Sequence, residues 1–182
     1  MEELSLHIMD IVQNSITAGA SQIGVEVDED IDGDKLTITV TDNGCGMDED
    51  TLRRVCDPFT TGRTTRRVGL GIPLFKLAAE QTGGEFVIES ERGKGTKVRA
   101  AFGYSHIDRQ PLGDMVSTVH QLITAHETVD FLYIHKVSER EFRLDTREIK
   151  EILGGVSLAE HEVMVWLLEY LKENEASLYA DK

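Results

Sequence analysis

The chain has little of several things. Two cysteines and three prolines occur in 182 residues, aromatics make up 6%, and 19 basic residues stand against 33 acidic ones. The cysteines, Cys45 and Cys56, form no Cys-x-x-Cys pair. Nothing in this spacing suggests a disulfide framework, and free thiols are the simplest account. The shortage of cations, a net charge of −14, opposes a general role on nucleic acid, whose phosphates need a basic surface. The deficit is shared: residues 1–104 hold 11 basic and 18 acidic side chains, and residues 105–182 hold 8 and 15. No apolar run approaches the roughly 20 residues of a membrane span. No leader is expected ahead of the first helical pattern, which starts almost at Met1. These features predict a cytoplasmic protein. The six histidines (7, 106, 120, 126, 135 and 161) show no metal spacing. Hydrophobic residues at 40% suffice for one core with an appendage.

What is present lies mostly in the first hundred residues. The strand-like run Leu36–Val40 ends in Asp42-Asn43-Gly44-Cys45-Gly46-Met47. A carboxylate at a sheet edge can accept from an exocyclic amine, and the glycines let backbone approach a flat or phosphorylated ligand. Upstream, Leu4, Ile8, Ile11 and Val12 have helical spacing. Asp10 and Asn14 are then one turn apart on one helix face, with His7 nearby, and could hold a hydrated Mg²⁺. Residues 60–69 contain four threonines, three arginines, two glycines and no acid, which suits a loop closing over an anion. Gly69-Leu70-Gly71 opens an apolar helical stretch, where free N–H groups favour phosphate. Gly93-Lys94-Gly95-Thr96 is a tight turn between the strand-like runs 85–90 and 97–102. Singly each motif is ordinary turn or surface chemistry; their order within about 100 residues argues for ATP.

This set resembles the GHKL superfamily of gyrase-type topoisomerases, heat-shock chaperones of the ninety-kilodalton class, histidine kinases and MutL-type repair proteins. The stretch around Asn14 is similar to its N box, Asp42-x-Gly44-x-Gly46 to the G1 box, Gly69-x-Gly71 to the G2 box, and Gly93-x-Gly95-Thr96 to the last glycine motif. The segment from Gly69 to Thr96 looks most like a histidine-kinase catalytic domain; Asn14-Ser15 with Ala18-Gly19-Ala20 looks more like the MutL branch. The resemblance implies that Asn14 ligates Mg²⁺ and that Asp42 receives the adenine amino group, with Thr96 sharing a water. Gly44, Gly46 and Met47 would line the base pocket. Gly69, Leu70 and Gly71 would give amides to the phosphates. Thr60, Thr61, Arg63, Arg66 and Arg67 lie in the expected lid, residues 60–69; the family does not fix arginines there, and these could equally hold the lid to the body or to a partner. One position departs. Hydrolysing branches carry Glu four residues before the N-box Asn, where this chain has Asp10. A carboxylate one methylene shorter could miss its water by about 1 Å, which can cost about 100-fold in rate. Asp10 is nevertheless the expected catalytic residue, as base or metal organiser.

The expected fold is α+β: a two-layer α/β sandwich of the Bergerat ATP-binding type over residues 1–103, then a small α+β extension over 104–182. In the first part helices are expected at 3–17, 48–55 and 71–82, with strands at 22–28, 35–41, 85–90 and 96–102. In the second, Pro111 should open a helix reaching about His126, and 129–136 with 141–144 should form a hairpin. Asp145-x-x-Glu148 and Ser157-x-x-Glu160 read as capping boxes for helices near 146–153 and 158–174. The last helix is expected to bury Val163, Trp166, Leu167, Tyr170 and Leu171. The acidic run Asp28-x-Asp30-x-Asp32-Gly33 copies the start of a calcium loop, but its twelfth position is Thr39, so it reads as a solvated hairpin.

Three functions fit. One is a protein kinase passing the γ-phosphate of ATP to a partner protein, favoured by the kinase-like G2 region and by the expectation that the chain has no phosphoacceptor domain of its own. Another is an ATP hydrolase whose lid cycles a homodimer. The third is a nucleotide-sensing module that controls a partner. All use ATP and Mg²⁺, a protein partner, no nucleic acid and no membrane.

Overall fold

The computed structural model describes residues 3–57 and 70–180. Alternation of apolar and polar residues builds two long antiparallel strands, β1 (Gln22–Asp30) and β2 (Lys35–Asp42). Ile23, Val25, Val27, Leu36, Ile38 and Val40 all point to the buried side. The acidic turn between them is closed by Asp30, whose carboxylate accepts from the Gly33 amide. No metal-binding group of three or more His, Cys, Asp or Glu exists there or elsewhere among the described residues.

Helix α1 (Leu4–Thr17) buries Leu4, Ile8, Ile11, Val12 and Ser15. Helix α2 (Glu49–Val55) is capped by Asp48, and α3 (Gly71–Gln81) buries Ile72, Phe75, Ala78 and Ala79. Strands β3 (Glu85–Glu91) and β4 (Gly95–Gly103) form the next hairpin, and β4 lies on β2. The remaining elements are α4 (Met115–Ala125), β5 (Asp130–Val137), β6 (Arg140–Asp145), α5 (Thr146–Leu153) and α6 (His161–Ser177).

These strands make one mixed six-stranded sheet in the order β3-β4-β2-β1-β5-β6. All contacts are antiparallel except β1–β5, which run parallel from Gln22↔Asp130 to Glu29↔Val137. On the buried face α1 packs between α3 and α4, and α6 packs on α4. The boundary anticipated at 103/104 falls just after β4, and both the sheet and the hydrophobic core run across it. The α+β sandwich with its helical layer on one side is the architecture anticipated from sequence.

Some local expectations need correcting. Pro111 does not open a helix; α4 begins at Met115 behind an Asp114 cap. The Pro111 and Leu112 carbonyls accept instead from Leu4 and Ser5 N–H, closing the start of α1, and Gly113 at φ +86° breaks any helical path. Ser157 does not cap the last helix, because its hydroxyl is engaged by Glu127 and the Ala159 amide; α6 starts at His161. Trp166 is not buried but 48% exposed. Among the described residues no helix is long and apolar enough to cross a membrane.

Candidate functional site

Strand β2 delivers Asp42 to the sheet end beneath the last turns of α1. Its Oδ1 accepts from the Gly44 amide at 2.8 Å and its Oδ2 from Ser15 Oγ at 2.6 Å. Both oxygens are therefore fixed. A carboxylate has about four acceptor positions, so two are left for a ligand.

The glycine loop is bound on both sides. Cys45 N–H donates to Ala18 carbonyl (2.9 Å), and Gly93 N–H donates to Cys45 carbonyl (2.7 Å). Gly46 has φ +66°, and a Cβ there would lie 2.0 Å from the Glu91 carbonyl oxygen. Gly44 is buried, and a Cβ on it would meet Ala18 and Asp42 Oδ1 at about 3 Å. The glycines are needed for these approaches. Asn43 belongs to the frame: its Oδ1 accepts from the Ser21 and Gln22 amides at 2.9 Å.

Thr96 is the cross-strand neighbour of Asp42. Ser90 joins its hydroxyl at 2.8 Å and also accepts from Met47 N–H at 2.8 Å. The β3–β4 hairpin thus holds the glycine loop and Thr96 together.

A cavity of about 430 Å³ opens between these parts. Asn14, Asp42, Gly46, Met47 and Thr96 line it, with Ile11, Val40, Val55, Ile72 and Val98 as apolar walls. Its size suits a small organic ligand, and its few polar groups stand on an apolar lining. Asp10 lies outside that lining, exposed on α1, one turn before Asn14. It adjoins α3: a Cβ built on Gly71 would sit 3.1 Å from Asp10 Cβ and 3.6 Å from its Oδ2. Leu70 is the N-cap of α3, 59% exposed, with no side-chain cap on the helix. Thr60, Thr61, Arg63, Arg66, Arg67 and Gly69 fall outside the described residues.

His7 is buried, a histidine packed near the start of α1. Its ring packs on Phe75 at 5.5 Å between centroids, and Nε2 meets Gln110 Oε1 at 3.0 Å. Burial holds its pKa below the usual histidine value, so it is a neutral packing residue near neutral pH.

Two residues of this site escape a sequence reading, Ser15 and Ser90. Ser15 was visible only as the residue after Asn14, and Ser90 only as a strand end; no spacing rule marks either.

The fold and cavity define a two-layer sandwich with a ligand site beneath the edge of its helical layer. Residues 2–105 match the family model described as histidine kinase-, DNA gyrase B- and HSP90-like ATPase. The chain belongs to this family of ATP-binding domains. A putative sensor protein of Shewanella frigidimarina is 34% identical over 109 residues, 59% of this chain and 17% of that protein. Sporulation kinase E of Bacillus subtilis is 42% identical over 66 residues, 36% of this chain and 9% of that protein. This chain thus matches less than a fifth of either relative. The crystal structure of the N-terminal domain of a DNA repair protein superposes with a TM-score of 0.58 at 14% identity, over 98% of this chain and 57% of the other. That likeness concerns the fold.

Proposed function

We propose that this chain binds Mg-ATP in the 430 Å³ cavity and passes the γ-phosphate to a side chain of a protein partner. The observation that carries the reading is Asp42, a carboxylate lining the cavity with both oxygens pinned and acceptor capacity to spare. Such a group receives an exocyclic amine and a bridging water, as adenine requires. Thr96, one strand away, would share that water, and Gly44, Gly46 and Met47 would border the base. Asn14 would hold Mg²⁺ through its amide oxygen, and the ion would neutralise phosphate charge. With one protein oxygen the rest of its shell would be phosphate and water, which suits Mg²⁺. Leu70 and Gly71 would turn the open amides of α3 to the phosphates. Thr60, Thr61, Arg63 and Gly69 would serve from the stretch between α2 and α3. Similarity to a putative sensor protein and a sporulation kinase supports a kinase-like role in signalling; a cytoplasmic setting and a protein acceptor belong to the proposal.

Hydrolysis is the second reading, with a nucleotide-gated homodimer; a purely sensing role is the third. The first of these draws on Gly71. Its missing side chain lets α3 approach Asp10 closely, so a carboxylate shorter than Glu can still reach the phosphate side. Incubation with γ-labelled ATP, alone and with lysate of the source cell, separates the cases. Label on a protein supports transfer, free phosphate supports hydrolysis, and retained ATP supports sensing. No ATP bound in calorimetry would end all three.

A further inference from the structure

Helix α6 leaves one flank open. Val163, Leu167 and Leu171 are buried, whereas Val165 and Trp166 are each 48% exposed. The Trp166 ring stacks on Tyr170 at 5.2 Å and 19°, and Tyr170 meets Phe142 of β6 edge-on at 5.8 Å. Arg140 reaches the Ser177 carbonyl while Phe142 meets Tyr170. Helix α6 therefore runs antiparallel beside β6, with Trp166 toward the Asp145 end. On the other flank α6 meets α4, where His120 Nε2 lies 2.8 Å from the Met164 carbonyl. Strand β6 is the last of the sheet, and no strand covers its outer side among the described residues. Helix α5 turns instead to the start of β5, where Lys150 binds Asp130 at 2.7 Å. An open strand edge and an aromatic shelf thus meet at an angle.

The shelf is acidic. Glu162 and Glu173 lie four residues before and seven after Trp166, on the same helix face. Neither has an ion-pair partner among the described residues, and Glu169 reaches only Lys172, at 3.5 Å. We infer that this groove docks an extended, basic segment of a protein partner. The segment adds to β6 as a further strand and sets guanidinium or ammonium groups on the Trp166–Tyr170 rings beside the glutamates. A second copy of the chain is disfavoured: a two-fold axis perpendicular to the sheet beside β6 pairs the strands antiparallel and sets the two acidic α6 helices side by side on one face. Strand β6 is short and charged, which protects it against unselective pairing. The surface lies at the opposite sheet edge from β3, so the inference stands apart from the nucleotide reading.

Trp166 is the only tryptophan, so its emission reports this site alone. The probe is a synthetic peptide of about eight residues, a strand's length, alternating arginine and valine. It should shift Trp166 fluorescence saturably. Replacing its arginines by glutamates should weaken binding at least about tenfold, as should Glu162→Gln with Glu173→Gln. Trp166→Ala, read by calorimetry, should lose binding with an unchanged melting temperature. N-methylation of one alternate set of peptide amides should abolish binding, and of the other set leave it intact, because only one set can face β6. Equal binding by the acidic peptide, indifference to both N-methyl sets, or no effect of Trp166→Ala would overturn the proposal. So would sedimentation as a dimer that Trp166→Glu dissociates, which would assign the groove to a second copy.

Discussion

Ser15 on α1 donates a 2.6 Å hydrogen bond to Oδ2 of Asp42 at the end of β2. This contact ties the helix that carries Asn14 to the carboxylate proposed to read the base. It separates two substitutions. Asp42→Asn removes the acceptor for the amine and should weaken ATP at least about tenfold while sparing inorganic triphosphate. Ser15→Ala keeps the Gly44 contact and the packing; it should weaken ATP only a few fold, with a melting temperature within a few degrees of the parent's. Calorimetry on both variants is the check, and unchanged ATP affinity in a folded Asp42→Asn protein would remove the base assignment.

Gly71→Ala isolates the approach of α3 to α1. Alanine favours the helix by up to about 1 kcal/mol relative to glycine, so thermal stability should hold or rise. The new Cβ would nevertheless sit 3.1 Å from Asp10 Cβ and push the two apart by a few tenths of an ångström. Phosphate release or transfer should fall about tenfold or more with ATP affinity little altered. A loss of stability instead would mean that Gly71 serves packing alone.

How much of this was legible in sequence follows from the range of each interaction. Period-two alternation revealed β1 and β2, and helical spacing revealed α1 and α3, because those signals are local. The glycine loop was legible for the same reason: positive φ at Gly46 and Gly95 demands residues that stand out. Ser15 acts through Asp42, 27 residues on, and Ser90 ties Thr96 to Met47, 43 residues back, so no local spacing marks their roles. The start of α4 was misread because the Pro111 carbonyl is recruited by Leu4, over a hundred residues away. Trp166 was misassigned because helical spacing identifies a face but not what covers it. The parallel β1–β5 contact, which extends the sheet into the C-terminal region, has no local signature either.

His135 gives a prediction in pH. It is 1% exposed and lies between two carboxylates, with Nδ1 2.7 Å from Glu175 and Nε2 2.9 Å from Glu29. Tyr133 also donates to Glu175, at 2.8 Å, and Tyr179 to Glu29. Burial lowers the His135 pKa, but the bonds to Glu175 and Glu29 outweigh it and hold the group at about 9. The folded value exceeds the unfolded one of about 6.5. Its contribution is therefore complete below about pH 6.5, declines as pH rises, and is gone above about 9; on the order of 3 kcal/mol is at stake. Urea denaturation at pH 6, 7.5 and 9 should give falling stability, and His135→Gln should be less stable at pH 6 and flatter across that range. A wild-type profile as flat as the variant's would contradict a charged His135.

Asp10 decides between the functional readings. It stands exposed one turn before Asn14, beside the start of α3, and no hydrogen-bond partner engages its carboxylate among the described residues. On the proposed reading it would take a proton from water or from an acceptor hydroxyl on the γ-phosphate side. Asp10→Asn should therefore leave ATP affinity within a few fold and reduce turnover by about 100-fold or more. Asn14→Ala should act differently, weakening ATP in the presence of Mg²⁺ and little in its absence, because a metal oxygen ligand is lost. If wild-type hydrolysis is near background, Asp10→Glu is the sharper test. Should reach be the defect, the longer side chain will raise phosphate release; should the site be built for a protein acceptor, release will not rise and labelling of the partner will fall. A binding module would show neither change, and that result would withdraw the catalytic role from Asp10.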